Sequence, residues 1–201
     1  MNEPKRQPGT IRVGNGAGFW GDNLDAPRLL CEGGDLDYLT LEYLAELTMS
    51  ILAHQKTRDP ETGYVADFPG VVESLLPILD SRPGLRIVTN AGGMNPAGCA
   101  RRVAHVLKQA GLSDVRLATV AGDDLLPRID DLRSAGESLA HFEDDRSIDE
   151  ICDRIVSANA YLGAAGIVRA LDEGARIVMT GRVADASLTV GPCMHEFEWR
   201  W

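Results

Sequence analysis

The sequence predicts an α/β fold in which a predominantly parallel β-sheet is flanked by helices, in a Rossmann-like three-layer arrangement. Short apolar runs such as LRIVTN and ARIVMTGR alternate along the chain with segments whose apolar residues recur at helical spacing. Strands that alternate with helices pair in parallel through right-handed crossovers. A chain of 201 residues, of which 44% are apolar and 25% charged, is also long enough to enclose one sizeable core.

The first half of the chain predicts two strands and three helices. Residues 1–10 are polar and contain prolines, so we expect a disordered lead, followed by a single α/β domain over residues 11–201. IRVG is the first predicted strand, and a short helix follows over residues 24–32. Residues 36–43 have strand spacing and lead into a helix. Turn formers and charges fill residues 56–70, which predicts a surface excursion before the helix VVESLLPILD.

The second half contains the clearest α/β unit. LRIVTN is typical of a buried strand, AGGMNP of a turn, and Asn95 followed by Pro96 predicts a capped helix that continues to Gly111. SDVRLATV is the next predicted strand, and AGDDLLPRIDDL a loop with its own helix. Apolar residues at helical spacing predict a long helix over 148–173. ARIVMTGR is the last predicted strand.

The charge balance excludes some classes of partner. Acidic residues outnumber basic ones 30 to 20, and the resulting net charge of −10 repels nucleic acid and anionic membranes. The polar N-terminus contains no apolar signal region, and no stretch approaches the roughly 18 apolar residues of a membrane-spanning helix. We therefore predict a cytoplasmic protein. The cysteines and histidines are scattered without metal-ligand spacing, so no metal site is predicted.

The candidate site comes from the loops that follow the predicted strands. In a parallel sheet these loops line one edge, and ligands bind in the crevice there. Arg182 is predicted to hold a substrate carboxylate or phosphate, Asp185 or Asp123 to act as acid or base, and Asn90 to stabilise an enolate-like oxyanion. The predicted substrate-binding residues, most of them glycine or polar, are Gly16, Gly18, Phe19, Trp20, Asp22, Gly92, Gly93, Gly181, Arg182 and Ser187.

Structural explanations compete with these roles. The glycines also suit tight turns, and Asn95 is explained as a helix cap. Asp123 also fits a solvated charge at the start of a helix, and Arg182 with Asp185 a surface ion pair. Glu42 and Glu46 are spaced as paired carboxylates or as a solvated stripe on one helical face, of which the sequence favours the stripe.

The stretch GNGAGFWGD can be compared with the glycine-rich turn of a dinucleotide-binding site. Gly16, Gly18 and Gly21 have the G-x-G-x-x-G spacing of a dinucleotide-binding turn, and an acidic residue lies 21 positions after the last glycine. However, Phe19 and Trp20 would crowd a pyrophosphate, and Pro27 interrupts the helix that should follow. The pattern therefore favours an aromatic-walled substrate loop, with a nucleotide-binding module as the alternative.

Four stretches together carry a family resemblance: GAGFWGD, DYLTLEYLAELTMSIL, VTNAGGMNP and MTGRVADASLTVGPCMHEF. In this order, over roughly residues 11 to 198, they resemble the N-terminal region of the acyclic terpene utilisation family, formerly a domain of unknown function. The resemblance implies a role in the catabolism of branched, carboxyl-bearing or CoA-linked acids. It assigns no catalytic residue.

Together, the resemblance and the polar loops predict an enzyme that acts on a small acid or acyl-CoA, most simply a lyase or hydratase. The sequence requires no cofactor, and a CoA moiety enters only as part of the substrate. Family members extend beyond this length, so the resemblance implies the N-terminal part of a longer, here incomplete, domain. A further alternative is therefore a truncated, non-catalytic half that needs a C-terminal portion or a second subunit as its partner.

Overall fold

A computed structural model describes residues 9–199, and it confirms the predicted α/β class. All the strands of its five-stranded sheet are parallel, in the order β1-β2-β3-β5-β4. The strands are β1 (Val13–Ala17), β2 (Tyr38–Leu41), β3 (Arg86–Thr89), β4 (Leu117–Val120) and β5 (Ile177–Thr180). Residues 1–8, most of the predicted disordered lead, lie outside the described residues.

Helices cover both faces of the sheet. Their bounds are α1 (Ala26–Gly33), α2 (Glu46–Arg58), α3 (Phe68–Ser81), α4 (Pro96–Gln109), α5 (Ile129–Ser134), α6 (Ala165–Asp172) and α7 (Ser187–Phe197). Helices α1, α3 and α4 pack on one face, and α6 and α7 on the other. No helix within residues 9–199 is long and apolar enough to cross a membrane.

The central strands are buried on both faces, which explains why their sequences are continuous apolar runs. In β3, Ile87 packs in the core beneath α3 and α4, while Val88 packs beneath α6 and α7. In β5, Ile177 and Val178 divide between the two cores in the same way. Strands of this kind are recognisable without any alternation of polar residues.

The order of the strands creates a topological switch point at the carboxyl edge of the sheet. The loop after β3 leads to α4 on one face, whereas the loop after its neighbour β5 leads to α7 on the other face. Two adjacent loops that leave in opposite directions open a gap between them, and ligands bind at such a point in open α/β sheets. The fold therefore places Asn90 and Arg182 on the two loops that leave this point.

The predicted long helix over 148–173 is wrong. Residues Ile148–Glu150 and Cys152–Arg154 form single 3₁₀ turns, and the chain is then extended until α6 begins. The backbone of the extended part bonds elsewhere: Ala158 accepts from the N–H of Leu125, and the N–H of Ala160 donates to the carbonyl of Asp123. Tertiary pairing with the loop after β4 therefore overrides the helical spacing.

Candidate functional site

A buried carboxylate holds the loops after β4 and β5 together. Asp123 is 4% exposed, and its Oδ2 accepts from the backbone N–H of Arg182 at 2.8 Å and from Nδ2 of Asn159 at 2.9 Å. A Cβ on Gly181 would overlap this carboxylate, so the close approach requires glycine. The interpretation of Asp123 as a solvated charge at the start of a helix is wrong, because the carboxylate is buried and bonded across the site.

The guanidinium of Arg182 is the centre of the site. The residue is 4% exposed, its Nη1 donates to the carbonyl of Leu44 at 3.2 Å, and its guanidinium carbon lies 4.1 Å from the centroid of the Tyr161 ring. Nη1 lies 2.9 Å from Oδ1 of Asp185 and 3.9 Å from Oε1 of Glu42. The surface ion pair suggested by the sequence is therefore buried on the arginine side, whereas the Asp185 side chain is 65% exposed.

Glu42 contributes a buried carboxyl group to this site. One oxygen, Oε1, accepts from the N–H of Leu44 at 3.0 Å and from Nδ2 of Asn90. The other, Oε2, is buried and has no hydrogen-bond partner among the described residues. Burial raises the pKa of Glu42, and the hydrogen bond from Asn90 offsets part of that rise. Glu42 therefore has a stabilised protonated form and one buried oxygen without a partner among the described residues.

The expectation of a solvated stripe formed by two glutamates is wrong. Glu42 lies in the loop after β2, with its side chain 16% exposed, while Glu46 is the first residue of α2. They do not share a helical face, although Glu46 still reaches the site through the hydroxyl of Tyr161, which donates to its carboxylate.

Asn90 and the glycines that follow it form the other side of the site. Asn90 is fully buried, and its Oδ1 accepts from the N–H of Tyr43 at 2.8 Å while its amide nitrogen donates to Glu42. A Cβ on Gly92 would collide with the carbonyl oxygen of Thr180, which lets the loop after β3 approach the end of β5. Gly93 adopts a φ of 51°, a backbone conformation that favours glycine. Asn90 is thus placed to position Glu42.

The loop after β1 has its own hydrogen bonds, although its strand ends beside the cluster of Glu42, Asn90, Asp123, Tyr161, Arg182 and Asp185, since the N–H of Glu42 donates to the carbonyl of Ala17 at 2.9 Å. Gly16 lies within β1, where a Cβ would press on Pro27 and on the leucines of β2, so its smallness serves packing. Gly18 donates from its backbone to Oδ2 of Asp22 at 2.9 Å, and this bond, with a second from Asn23, lowers the pKa of Asp22. Among the described residues, no hydrogen bond or ion pair joins residues 18–22 to Arg182 or its neighbours.

The two aromatic residues of that loop differ in their surroundings. Phe19 is 60% exposed. Trp20 packs partly against the core, and its Nε1 donates to Oδ2 of Asp67 at 2.8 Å, beside the start of α3. Of the remaining predicted residues, Ser187 is buried as the first residue of α7, two residues after Asp185.

The structure therefore brings together the predicted residues Arg182, Asp185, Asp123, Gly181 and Asn90 with Glu42, Tyr161 and Asn159. The sequence singled out Glu42 as one of two possible paired carboxylates, but favoured a solvated stripe for it over a functional role. Tyr161 and Asn159 gave no such signal, since they lie in a segment whose spacing predicted a helix.

Comparison with known proteins assigns a family. The protein-family model described as "Acyclic terpene utilisation family protein AtuA" matches residues 11–201, and the chain belongs to this family. A search of curated proteins and a search of solved structures gave no significant match. Membership of the family gives the chain a role related to terpene utilisation.

Proposed function

We propose that this member of the acyclic terpene utilisation family is a catabolic enzyme for branched, carboxyl-bearing or CoA-linked acids, most simply a lyase or hydratase. One observation carries the proposal: the buried, unpartnered Oε2 of Glu42 lies on a carboxyl group whose other oxygen is 3.9 Å from the Arg182 guanidinium. A carboxyl group with a raised pKa next to a fixed cation suits proton transfer beside a carbonyl group, where negative charge develops on the oxygen.

The proposed chemistry uses one acid/base residue. Glu42 takes a proton from water, whose hydroxide adds to the β carbon of an enoyl group, and returns the proton to the α carbon. Between these steps the carbonyl oxygen carries negative charge, which the guanidinium of Arg182 stabilises. The lyase direction is the reverse. Asp123 and Asn90 act as positioning residues in this scheme, because their polar atoms bond to the loops that carry Arg182 and Glu42.

A substrate can reach Arg182 at small cost. The groups on the solvent side of the guanidinium are Asp185, whose side chain is 65% exposed, and Tyr161, which is 52% exposed. Displacement of Asp185 costs little as long as the guanidinium keeps an anionic partner, because the exposed carboxylate regains water. The oxyanion that forms at a thioester carbonyl, or a substrate carboxylate, supplies that partner when it takes the place of the Asp185 carboxylate.

The test is hydration of a 3-methyl-branched enoyl-CoA by the purified chain. The reaction is monitored through the loss of the enoyl thioester absorbance. We expect Glu42→Gln to lower kcat by about 10²–10⁴-fold, as for loss of an acid/base group, and Asp185→Asn to retain most of kcat. Glu73→Gln, on an exposed position of α3, is the matched control. If Asp185→Asn is inactive while Glu42→Gln turns over normally, Asp185 is the acid/base residue, as the sequence first suggested.

The two alternatives make different predictions. The nucleotide-binding module is the weaker one, because the Asp22 carboxylate already accepts from the loop amides that a phosphate would need. The half-domain that needs a partner is supported by Leu47 and Ile51, which are 73% and 42% exposed one turn apart on α2. Absence of turnover by the chain alone, with turnover restored by the C-terminal portion of a longer family member, would favour that alternative.

A further inference from the structure

A second polar site lies beside the cluster, between the loops after β3 and β4. It is a cavity of 240 Å³, bounded by Gly93 and Met94 on one side and Gly122 and Asp124 on the other, with Lys56 at its margin. At about 30 Å³ for each water in the liquid, the cavity has room for roughly eight waters, which suits a small organic acid. None of its proposed contacts uses Glu42 or the guanidinium of Arg182.

Lys56 is held in place by its surroundings. It lies in the last turn of α2, and its stem crosses Gly63, where a Cβ would lie 2.8 Å from the Cβ of Lys56. Its ammonium donates to the carbonyl of Met94 at 2.6 Å, immediately before α4. Gly63 in turn accepts from the N–H of Met94 at 2.8 Å. The stem and one of three ammonium donors are thus fixed, and the head group is placed at the cavity.

The charge of Lys56 is not neutralised by the chain. Within residues 9–199, no carboxylate lies within 4.0 Å of its ammonium, although the chain has 30 acidic residues and only 20 basic ones. A partly buried ammonium without an anion is unfavourable compared with a paired one. An anionic ligand in the cavity would supply the missing partner.

The opposite wall selects among anions. Asp123 and Asp124 line it, together with the side chain of Asn159. Asp123 is already bonded to Arg182 and Asn159, and Oδ1 of Asp124 accepts from the N–H of Leu126 at 3.1 Å. A doubly charged phosphate would be repelled by these carboxylates, whereas a hydroxyl group could donate to them.

We propose that this cavity binds a small hydroxycarboxylic acid, with its carboxylate on the ammonium of Lys56 and its hydroxyl group toward Asp123 and Asp124. The inference goes beyond the acid/base role of Glu42 and does not depend on it, so Glu42→Gln should bind the acid as the unsubstituted chain does.

The experiment is a titration of the full chain with 3-hydroxy-3-methylbutanoate. Binding is monitored through the amide NMR signals of Gly93 and Gly122. We expect both signals to shift saturably, 3-methylbutanoate to bind several-fold more weakly, and inorganic phosphate to bind more weakly still. Lys56→Met keeps the stem and should weaken binding at least tenfold, as expected for loss of a charge-assisted hydrogen bond. Lys108→Met, in the last turn of α4, is the matched control and should bind normally.

Several outcomes would overturn the proposal. They are the absence of a saturable shift at Gly93 and Gly122 up to millimolar acid, unchanged binding by a folded Lys56→Met variant, or tighter binding of phosphate than of the hydroxy acid. If Lys56→Met fails to fold, the shifts of the Gly93 and Gly122 amide signals in the unsubstituted chain still show whether the acid binds in this cavity. Loss of turnover in Glu42→Gln with normal binding of the acid would separate this site from the proposed catalytic one.

Discussion

The loop after β1 and the loops around Arg182 both follow parallel strands, but they satisfy their polar groups in different ways. In the first loop the Asp22 carboxylate accepts from Gly18, four residues away, and Phe19 remains exposed. Around Arg182 the bonds join distant parts of the chain: the arginine N–H reaches Asp123 across 59 residues, and its guanidinium reaches Leu44 across 138. The first loop is a local turn, whereas the cluster is a product of the whole fold.

This difference has an energetic consequence. Polar groups that are buried and bonded across the fold leave unsatisfied partners when one of them is removed, and each such partner costs about 1–3 kcal/mol. Exposed groups that bond locally lose little, because water replaces the bond. Substitutions in the cluster should therefore change stability much more than substitutions in the first loop.

Removal of the Asp123 carboxylate should have the largest effect. Asp123→Ala leaves the N–H of Arg182 and the amide of Asn159 without their acceptor in a buried place, so we expect a loss of about 2–4 kcal/mol in the free energy of unfolding. Urea denaturation measures it. Asp130→Ala, at an exposed position, is the control and should stay within about 0.5 kcal/mol. A loss below about 1 kcal/mol for Asp123→Ala would mean that the carboxylate is only a charge near the start of a helix.

Addition of one methyl group at the end of β5 should have the next largest effect. The Cβ of Gly181→Ala would overlap the Asp123 carboxylate, so either the turn or Asp123 must shift, at a cost of about 1–3 kcal/mol in unfolding free energy. Gly70→Ala is the matched control, because a Cβ there meets nothing within 4 Å and alanine favours the helix. Equal stability of the two variants in urea would show that the end of β5 is not closely packed against Asp123.

The buried carboxyl group should make stability depend on pH. The pKa of Glu42 is raised in the folded state by burial, so the folded chain binds more protons than the unfolded one between the ordinary value of 4.5 and the raised value. The contribution of Glu42 to the free energy of unfolding therefore falls as pH rises through this window. Glu42→Gln should remove that fall, so its stability relative to the unsubstituted chain should increase from pH 4 upward in urea denaturation. A difference that is constant with pH would contradict a raised pKa.

The sequence predicted those features that depend on neighbouring residues or on burial alone. The strand over Ile87 and Val88 was evident from its apolar run, and the predicted cap of α4 is confirmed, since Oδ1 of Asn95 accepts from the N–H of Gly98 at 3.0 Å. The extended segment through Asn159 and Tyr161 could not be predicted, because its structure comes from pairing with the loop after β4. Likewise, the sequence placed Glu42 after a strand, but only the packed fold buries its second oxygen.

Within the first loop, Trp20 should matter more than its neighbour. Trp20→Phe keeps an aromatic ring against the core but removes the donor to Asp67, so we expect a loss of about 0.5–1.5 kcal/mol in the free energy of unfolding. Asp67→Ala removes the same bond from the other side, and a double-mutant cycle gives the energy of the pair. Additive effects of the two substitutions would contradict a stabilising bond between the first loop and the start of α3.

Phe19→Ala should have the smallest effect on stability. The side chain is 60% exposed, so its truncation should change the free energy of unfolding by at most about 0.5 kcal/mol, measured by urea denaturation. An exposed aromatic residue that contributes so little to the fold is available for a ligand, which is what the interpretation of this loop as an aromatic wall requires. The same variant should therefore raise the KM for a branched acyl-CoA while leaving kcat unchanged, because the ring would contact the acyl chain away from the reacting atoms. An unchanged KM would restrict the site to the loops around Arg182, and a loss of stability above about 1 kcal/mol would show that Phe19 packs as a structural residue.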